Sequence, residues 1–298
     1  MEEIKNCPVC ANSDFSIFLS GKDHFLSEEN FSILKCNHCD FRFTNPRPDE
    51  TEMHRFYDSP DYIAHDAGKR TLLQIIYKTV RVFSLKRKYS IVNKYCNGKV
   101  LLDIGCGTGE FLYYCRKMNF ITVGIEPNDK ARNFAVTDLG LTILDESHLD
   151  EFFPGTFDVI TMWHVLEHVH KLSERLQQIQ ELLKPDGTLV IALPDSDSWD
   201  AKNYKEFWAA YDLPRHLYHF TPDSFKNIMR KNGFGLVQII PLKFDAFYIS
   251  LLSEKYLTGK LKYISALING IRSNIYGRKN KNNYSSLIYI CKIAQDTK

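Results

Sequence analysis

The densest chemistry in the chain lies in Val100-Leu101-Leu102-Asp103-Ile104-Gly105-Cys106-Gly107-Thr108-Gly109-Glu110-Phe111. A short apolar run ends in an acid and breaks into three glycines at alternate positions. Glycine has no Cβ, so a ligand can approach the main chain closely. A helix that starts there leaves its first N–H groups free to face that ligand. The dinucleotide fingerprint G-x-G-x-x-G would need glycine at 110, where Glu110 stands. A second acid, Glu126, closes the run Ile121-Thr122-Val123-Gly124-Ile125 about 20 residues later, where a carboxylate can accept from both hydroxyls of a ribose. The pair of acids around the glycines points to a nucleoside ligand held by a different loop.

A second constellation is made of cysteines. Cys7-Pro8-Val9-Cys10 and Cys36-Asn37-His38-Cys39 are two C-x-x-C knuckles separated by 25 residues. Four thiolates close a tetrahedral zinc shell, so the implied ion is structural rather than catalytic. A redox dithiol is disfavoured because nothing nearby reads as βαβ. A small lobe at residues 1–48, with Phe15–Leu19 in a hairpin, would depend on that ion to fold.

A third constellation is rich in histidine. Trp163-His164-Val165-Leu166-Glu167-His168 follows the apolar run Phe157–Met162, and Pro214-Arg215-His216-Leu217-Tyr218-His219 lies further on. His164-x-x-Glu167-His168 formally matches a metallopeptidase pattern, but that chemistry needs a helix and a third ligand. The expectation is instead that Glu167 and His168 cap and orient the following segment. His164 and His216 are the residues suited to accept a proton near neutral pH, and Arg215 is suited to an anionic group. The bland alternative for Arg215 and His216 is a loop tied to the sheet.

At the glycine run and its two acids the sequence resembles the class I S-adenosylmethionine (SAM)-dependent methyltransferases, whose first motif is an acid followed by G-x-G-x-G. That resemblance covers roughly residues 98–240 plus the last strand. It implies an α/β, Rossmann-like doubly wound sheet of seven strands ending in a hairpin. It also implies SAM as cofactor, with Asp103, Gly105, Cys106, Gly107, Gly109, Glu126, Pro127, Ser147 and Trp163 around it and His164 beside the methyl group. The Pro-Arg-His-Leu-Tyr-His segment is similar to one in bacterial small-molecule methyltransferases, which makes Arg215, Tyr218 and His219 substrate-binding residues by implication. Some sugar C- and O-methyltransferases carry a comparable zinc lobe.

The elements that must position these groups follow from periodicity. Strands are expected at 99–104, 121–125, 142–144, 157–162, 187–193, 236–241 and 286–293, alternating with helices as in a parallel sheet. Residues 49–97 read as a helical cap, with Leu73, Ile76, Tyr77, Val80, Phe83, Ile91 and Val92 on one face and Lys69, Arg70, Lys78, Arg81, Lys86, Arg87 and Lys88 on a solvated one. The methyltransferase domain fills 98–298, with a basic amphipathic insertion at about 242–284. That insertion is expected to pack its apolar face on the core; the competing reading is contact with a membrane surface or an acidic, lipid-linked substrate.

With 298 residues, 25% charged and a net charge of +2, the overall charge is near neutral rather than strongly basic, and nucleic acid is the less expected partner. The start of the chain shows no secretory signal and no segment long enough to span a bilayer, so a cytoplasmic location is expected. The reading is therefore a SAM-dependent methyltransferase of a small molecule. The alternatives are an RNA-modifying enzyme guided by the zinc lobe, and a non-catalytic zinc-ribbon scaffold.

Overall fold

The computed structural model describes residues 1–57, 72–280 and 283–294. Lys69 and Arg70, and the side chains expected on either face of the helical segment before Val82, lie outside the described residues.

Three strands open the chain: β1 (Phe15–Lys22), β2 (Asn30–Cys36) and β3 (Arg42–Thr44). After helix α1 (Leu72–Tyr95) the strand–helix alternation begins, with β4 (Val100–Ile104), α2 (Glu110–Lys117), β5 (Ile121–Ile125), α3 (Asp129–Thr137) and β6 (Ile143–Leu144). It continues through β7 (Phe157–Trp163), α4 (Leu172–Leu182), β8 (Leu183–Pro194) and α5 (Trp199–Tyr204). The chain then forms β9 (Tyr218–His219), α6 (Pro222–Lys231), β10 (Phe234–Pro241), α7 (Asp245–Thr258), α8 (Tyr263–Lys279) and β11 (Ser286–Ile293).

Seven strands form one sheet in the order β10-β11-β8-β7-β4-β5-β6, parallel except for β11, which runs antiparallel between β8 and β10. The chain builds outward from β4 to β5 and β6, then returns to place β7 on the other side of β4. Ligands bind beyond the carboxyl ends of strands at such a reversal. The glycine loop after β4 and Trp163 at the end of β7 therefore face one cleft.

The amino-terminal lobe is not a separate unit. Its sheet runs β1-β2-β3-β9, and β9 comes from the segment between β8 and α6. Phe43 pairs with Tyr218 and Arg42 with His219 in that antiparallel seam. One buried apolar cluster contains Ile33, Phe41 and Phe43 from the lobe together with Ile160, Leu189 and Ile191 from the large sheet. A two-residue strand bounded by loop sequence carries no alternation to read, so the seam was invisible in the sequence.

Helix α8 reverses its expected orientation. Its buried positions are Ala266, Gly270, Ser273 and Gly277. A Cβ on Gly270 would come within 2.5 Å of the Phe247 ring, so α7 and α8 approach closely because that face is small. Ile264, Leu267, Ile268, Ile271 and Ile275 consequently point outward, Ile264 with 77% of its surface exposed. The expectation that this apolar face packs on the core is overturned.

Candidate active site

Each glycine of the loop after β4 has a left-handed backbone, with φ of 70° at Gly105, 55° at Gly107 and 75° at Gly109. A Cβ on Gly105 would strike Val165, and one on Gly109 would strike Leu141 and Ala135. At Gly107 a Cβ would meet nothing within 4 Å, so this residue borders the open cleft. The Gly105 and Cys106 N–H groups both donate to the Ile125 carbonyl (2.8 and 3.0 Å), which ties the loop to the end of β5.

Glu126 stands at that strand end. Its carboxylate accepts from the Gly107 N–H (2.7 Å) and the Asn128 N–H (2.9 Å). Burial raises its pKa against the pull of these two donors. Each oxygen keeps a further lone pair, so the group can still accept from a ribose diol. Asp103 is buried beside it and accepts from Thr161 Oγ1 at 2.5 Å, while burial pushes its pKa up to about 7. Pro127 follows Glu126 directly. Ser147 is exposed, and its hydroxyl donates to Asp145 at the start of the next helical turn. The loop, the pair of acids and the open face at Gly107 fit an adenosyl group.

Trp163 packs edge-on against Phe111, its indole N–H has no partner among the described residues, and the Lys88 ammonium lies 4.4 Å from its ring centroid. Lys88 was expected on a solvated flank. It sits three and four residues before Ile91 and Val92, both buried, so the helical period places it on the inward face.

His164 turns the chain at the end of β7 with φ of 59°, a strained conformation for a residue with a side chain. Its Nε2 lies 3.0 Å from Asp245 and its Nδ1 3.5 Å from Glu167. Burial alone would lower its pKa, but the two carboxylates lift it to about 9. At neutral pH His164 is a cation, which does not suit the proton-accepting role expected of it. Asp245 was missed in the sequence because it opens α7, inside the insertion.

His216 is buried, with Nδ1 bonded to the Ala210 carbonyl (2.9 Å) and Nε2 3.9 Å from Glu167. Glu167 is held near it because the Leu217 N–H donates to the Glu167 carbonyl (2.8 Å). Arg215 is taken up by ion pairs. Its guanidinium is buried between Asp23 of the lobe (2.9 Å) and Asp212 (2.7 Å), and it donates to the Phe56 carbonyl. Tyr218 and His219 are likewise taken up by the seam: Tyr218 donates to the His170 carbonyl, and His219 Nε2 bonds Thr44.

In the lobe, the Cys7 and Cys39 sulfurs are 3.5 Å apart, as are those of Cys10 and Cys36, and all four lie within 4.8 Å of one another. Tetrahedral coordination with zinc–sulfur bonds near 2.3 Å puts ligand sulfurs about 3.8 Å apart. The set therefore fits such an ion.

A doubly wound sheet with a glycine cradle and an acid at each of two adjacent strand ends defines the SAM-dependent methyltransferase class. The chain belongs to the methyltransferase-domain family, whose model matches residues 83–239, and it is a SAM-dependent methyltransferase. It is 30% identical over 190 residues to the ubiquinone biosynthesis O-methyltransferase of Nitrosococcus oceani, covering 59% of this chain and 78% of that one. It is 28% identical over 167 residues to the tRNA U34 carboxymethyltransferase of Desulfotalea psychrophila, covering 50% of each. In fold it is similar to the magnesium protoporphyrin IX methyltransferase of Synechocystis, with a TM-score of 0.53 at 12% identity, covering 83% of this chain and 100% of that one.

Proposed function

We propose that the enzyme methylates a small, lipid-linked acceptor such as a glycan precursor, with a structural zinc ion at Cys7, Cys10, Cys36 and Cys39. The outward apolar face of α8 carries this reading. Lys255, Lys260, Lys262, Arg272, Arg278 and Lys279 are exposed around it, while Glu254, the only acid between 254 and 284, is buried against Tyr204, Ser265 and Asn269. An apolar stripe with a basic rim suits the surface of an anionic bilayer. Among the described residues no helix is long and apolar enough to cross a membrane.

SAM supplies a methyl carbon already activated by positive sulfur. The chain's task is alignment. With SAM bound, Glu126 and the glycine loop would hold the adenosyl ribose, Trp163 would be an aromatic neighbour for the cation, and His216 would activate the acceptor. The lobe, sewn to the large sheet at β9, supports a fixed wall for a small acceptor rather than a mobile RNA-binding module.

Incubation with labelled SAM and separated metabolite, lipid and RNA fractions of the host tests the reading. Label is expected in a lipid-extractable small molecule. Label confined to RNA would replace it with the nucleic-acid alternative, which one of the relatives' names supports, and a salt-dependent gel shift with RNA would accompany that result. Sedimentation with anionic vesicles tests the surface, and equal recovery with neutral vesicles would count against it.

A further inference from the structure

Glu167 is fully buried, and neither carboxylate oxygen has a hydrogen-bond partner among the described residues. His164 Nδ1 faces this carboxylate from 3.5 Å, and the carboxylate's remaining lone pairs stay open to further donors or to a metal. Two more imidazoles converge on Glu167. His216 donates Nδ1–H to the Ala210 carbonyl, which can only accept, and this turns Nε2 toward Glu167. His168 has Nδ1 2.8 Å from the Tyr57 hydroxyl and 3.0 Å from the Arg215 carbonyl. One ligand atom from each of Glu167, His168 and His216 lies within 4.8 Å of the others.

We propose that Glu167, His168 and His216 form a three-ligand site for a divalent transition-metal ion, with a coordination position left for an oxygen of the methyl acceptor. Two imidazoles and one carboxylate are a donor set for zinc, iron, cobalt or manganese, unlike the all-sulfur set in the lobe. A backbone carbonyl beside Nδ1 of each ring, joined at His168 by the Tyr57 hydroxyl, is the usual kind of outer support for such ligands. His164 is not among the three converging groups: its Nε2 pairs with Asp245 and its Nδ1 stands 3.5 Å from Glu167. The H-x-x-E-H pattern thus supplies two ligands, Glu167 and His168, and the loop before β9 brings the third. The proposal rests on the reading that His216 activates the acceptor, and it makes that residue a ligand rather than a free base. A metal so placed lowers the pKa of a hydroxyl that reaches it, which commits the acceptor to a hydroxyl or enol oxygen.

The test is cobalt(II) titration of the full-length protein after chelator treatment, with metal content counted per chain. Wild type should hold one ion beyond the ion at the cysteines, giving weak visible bands of a nitrogen–oxygen site beside the intense sulfur charge-transfer bands. Glu167→Gln and His216→Gln should each lose that ion and keep the sulfur bands, which report a folded lobe. Wild type that holds only the cysteine ion, or variants that bind as much metal as wild type, would overturn the site. Should a variant fail to fold, anomalous scattering from wild-type crystals at the zinc edge decides: a peak among the three side chains supports the site, and its absence overturns it. Metal bound there without methyl transfer to any small molecule would refute the acceptor reading alone.

Discussion

Arg215 shows how a residue chosen for chemistry can be structural. Its guanidinium is buried and flanked by Asp23 and Asp212, so it fastens the lobe to the loop that carries His216. Arg215→Met leaves both carboxylates uncompensated and should cost about 3–5 kcal/mol in a denaturant titration; a loss below about 1 kcal/mol would deny it this role. Asp195 is fully buried, accepts from the Asp197 N–H, and has one oxygen without a partner among the described residues; burial raises its pKa to about 8. Its folded pKa lies above its unfolded one, so the folded protein binds the extra proton. Stability should therefore fall as pH rises from about 4 to about 8 and level off beyond. Asp195→Asn keeps the acceptor for Asp197 and should flatten that dependence in melts across the same range. An unchanged slope would show that Asp195 is not its source.

Helix α8 and the seam strand β9 mark what elements conceal. The seven strands of the large sheet were legible because apolar runs bounded by glycine and proline have few alternative structures, and β5 and β11 begin and end where their patterns do. The face of α8 was not, because apolar spacing says that a stripe exists and not which way it points. The small residues Ala266, Gly270, Ser273 and Gly277, themselves at helical spacing, were the overlooked signal. Ile264→Glu with Ile268→Glu should change stability by no more than about 0.5 kcal/mol each, as for exposed sites, while abolishing sedimentation with anionic vesicles. Gly270→Leu forces a side chain into Phe247 and should destabilise by about 1–3 kcal/mol. The opposite ranking in thermal melts would place the core on the other face.

For the whole molecule, the grouping of the glycine loop with its two acids was legible, and the grouping around Glu167 was not. Asp103, the three glycines and Glu126 are close in sequence and set by one strand–loop–helix unit after another. The surroundings of Glu167 draw on β7, the loop before β9 and α7, and such convergence is a property of the folded chain alone. The same convergence couples the lobe to the large sheet through β3, β9 and the Arg215 pair. Chelator removal of metal from the cysteines should therefore lower the melting temperature of the entire protein in one transition. Two separate transitions would mean that the lobe unfolds by itself. The central claim is that the loop after β4 and the carboxylate after β5 hold SAM, and calorimetric titration of SAM into wild type and Glu126→Ala tests it most directly. Wild type should bind, and the variant, folded by its circular dichroism, should bind about 10- to 100-fold more weakly, the loss expected for hydrogen bonds to a charged acceptor. Equal affinity in the two proteins would contradict the account.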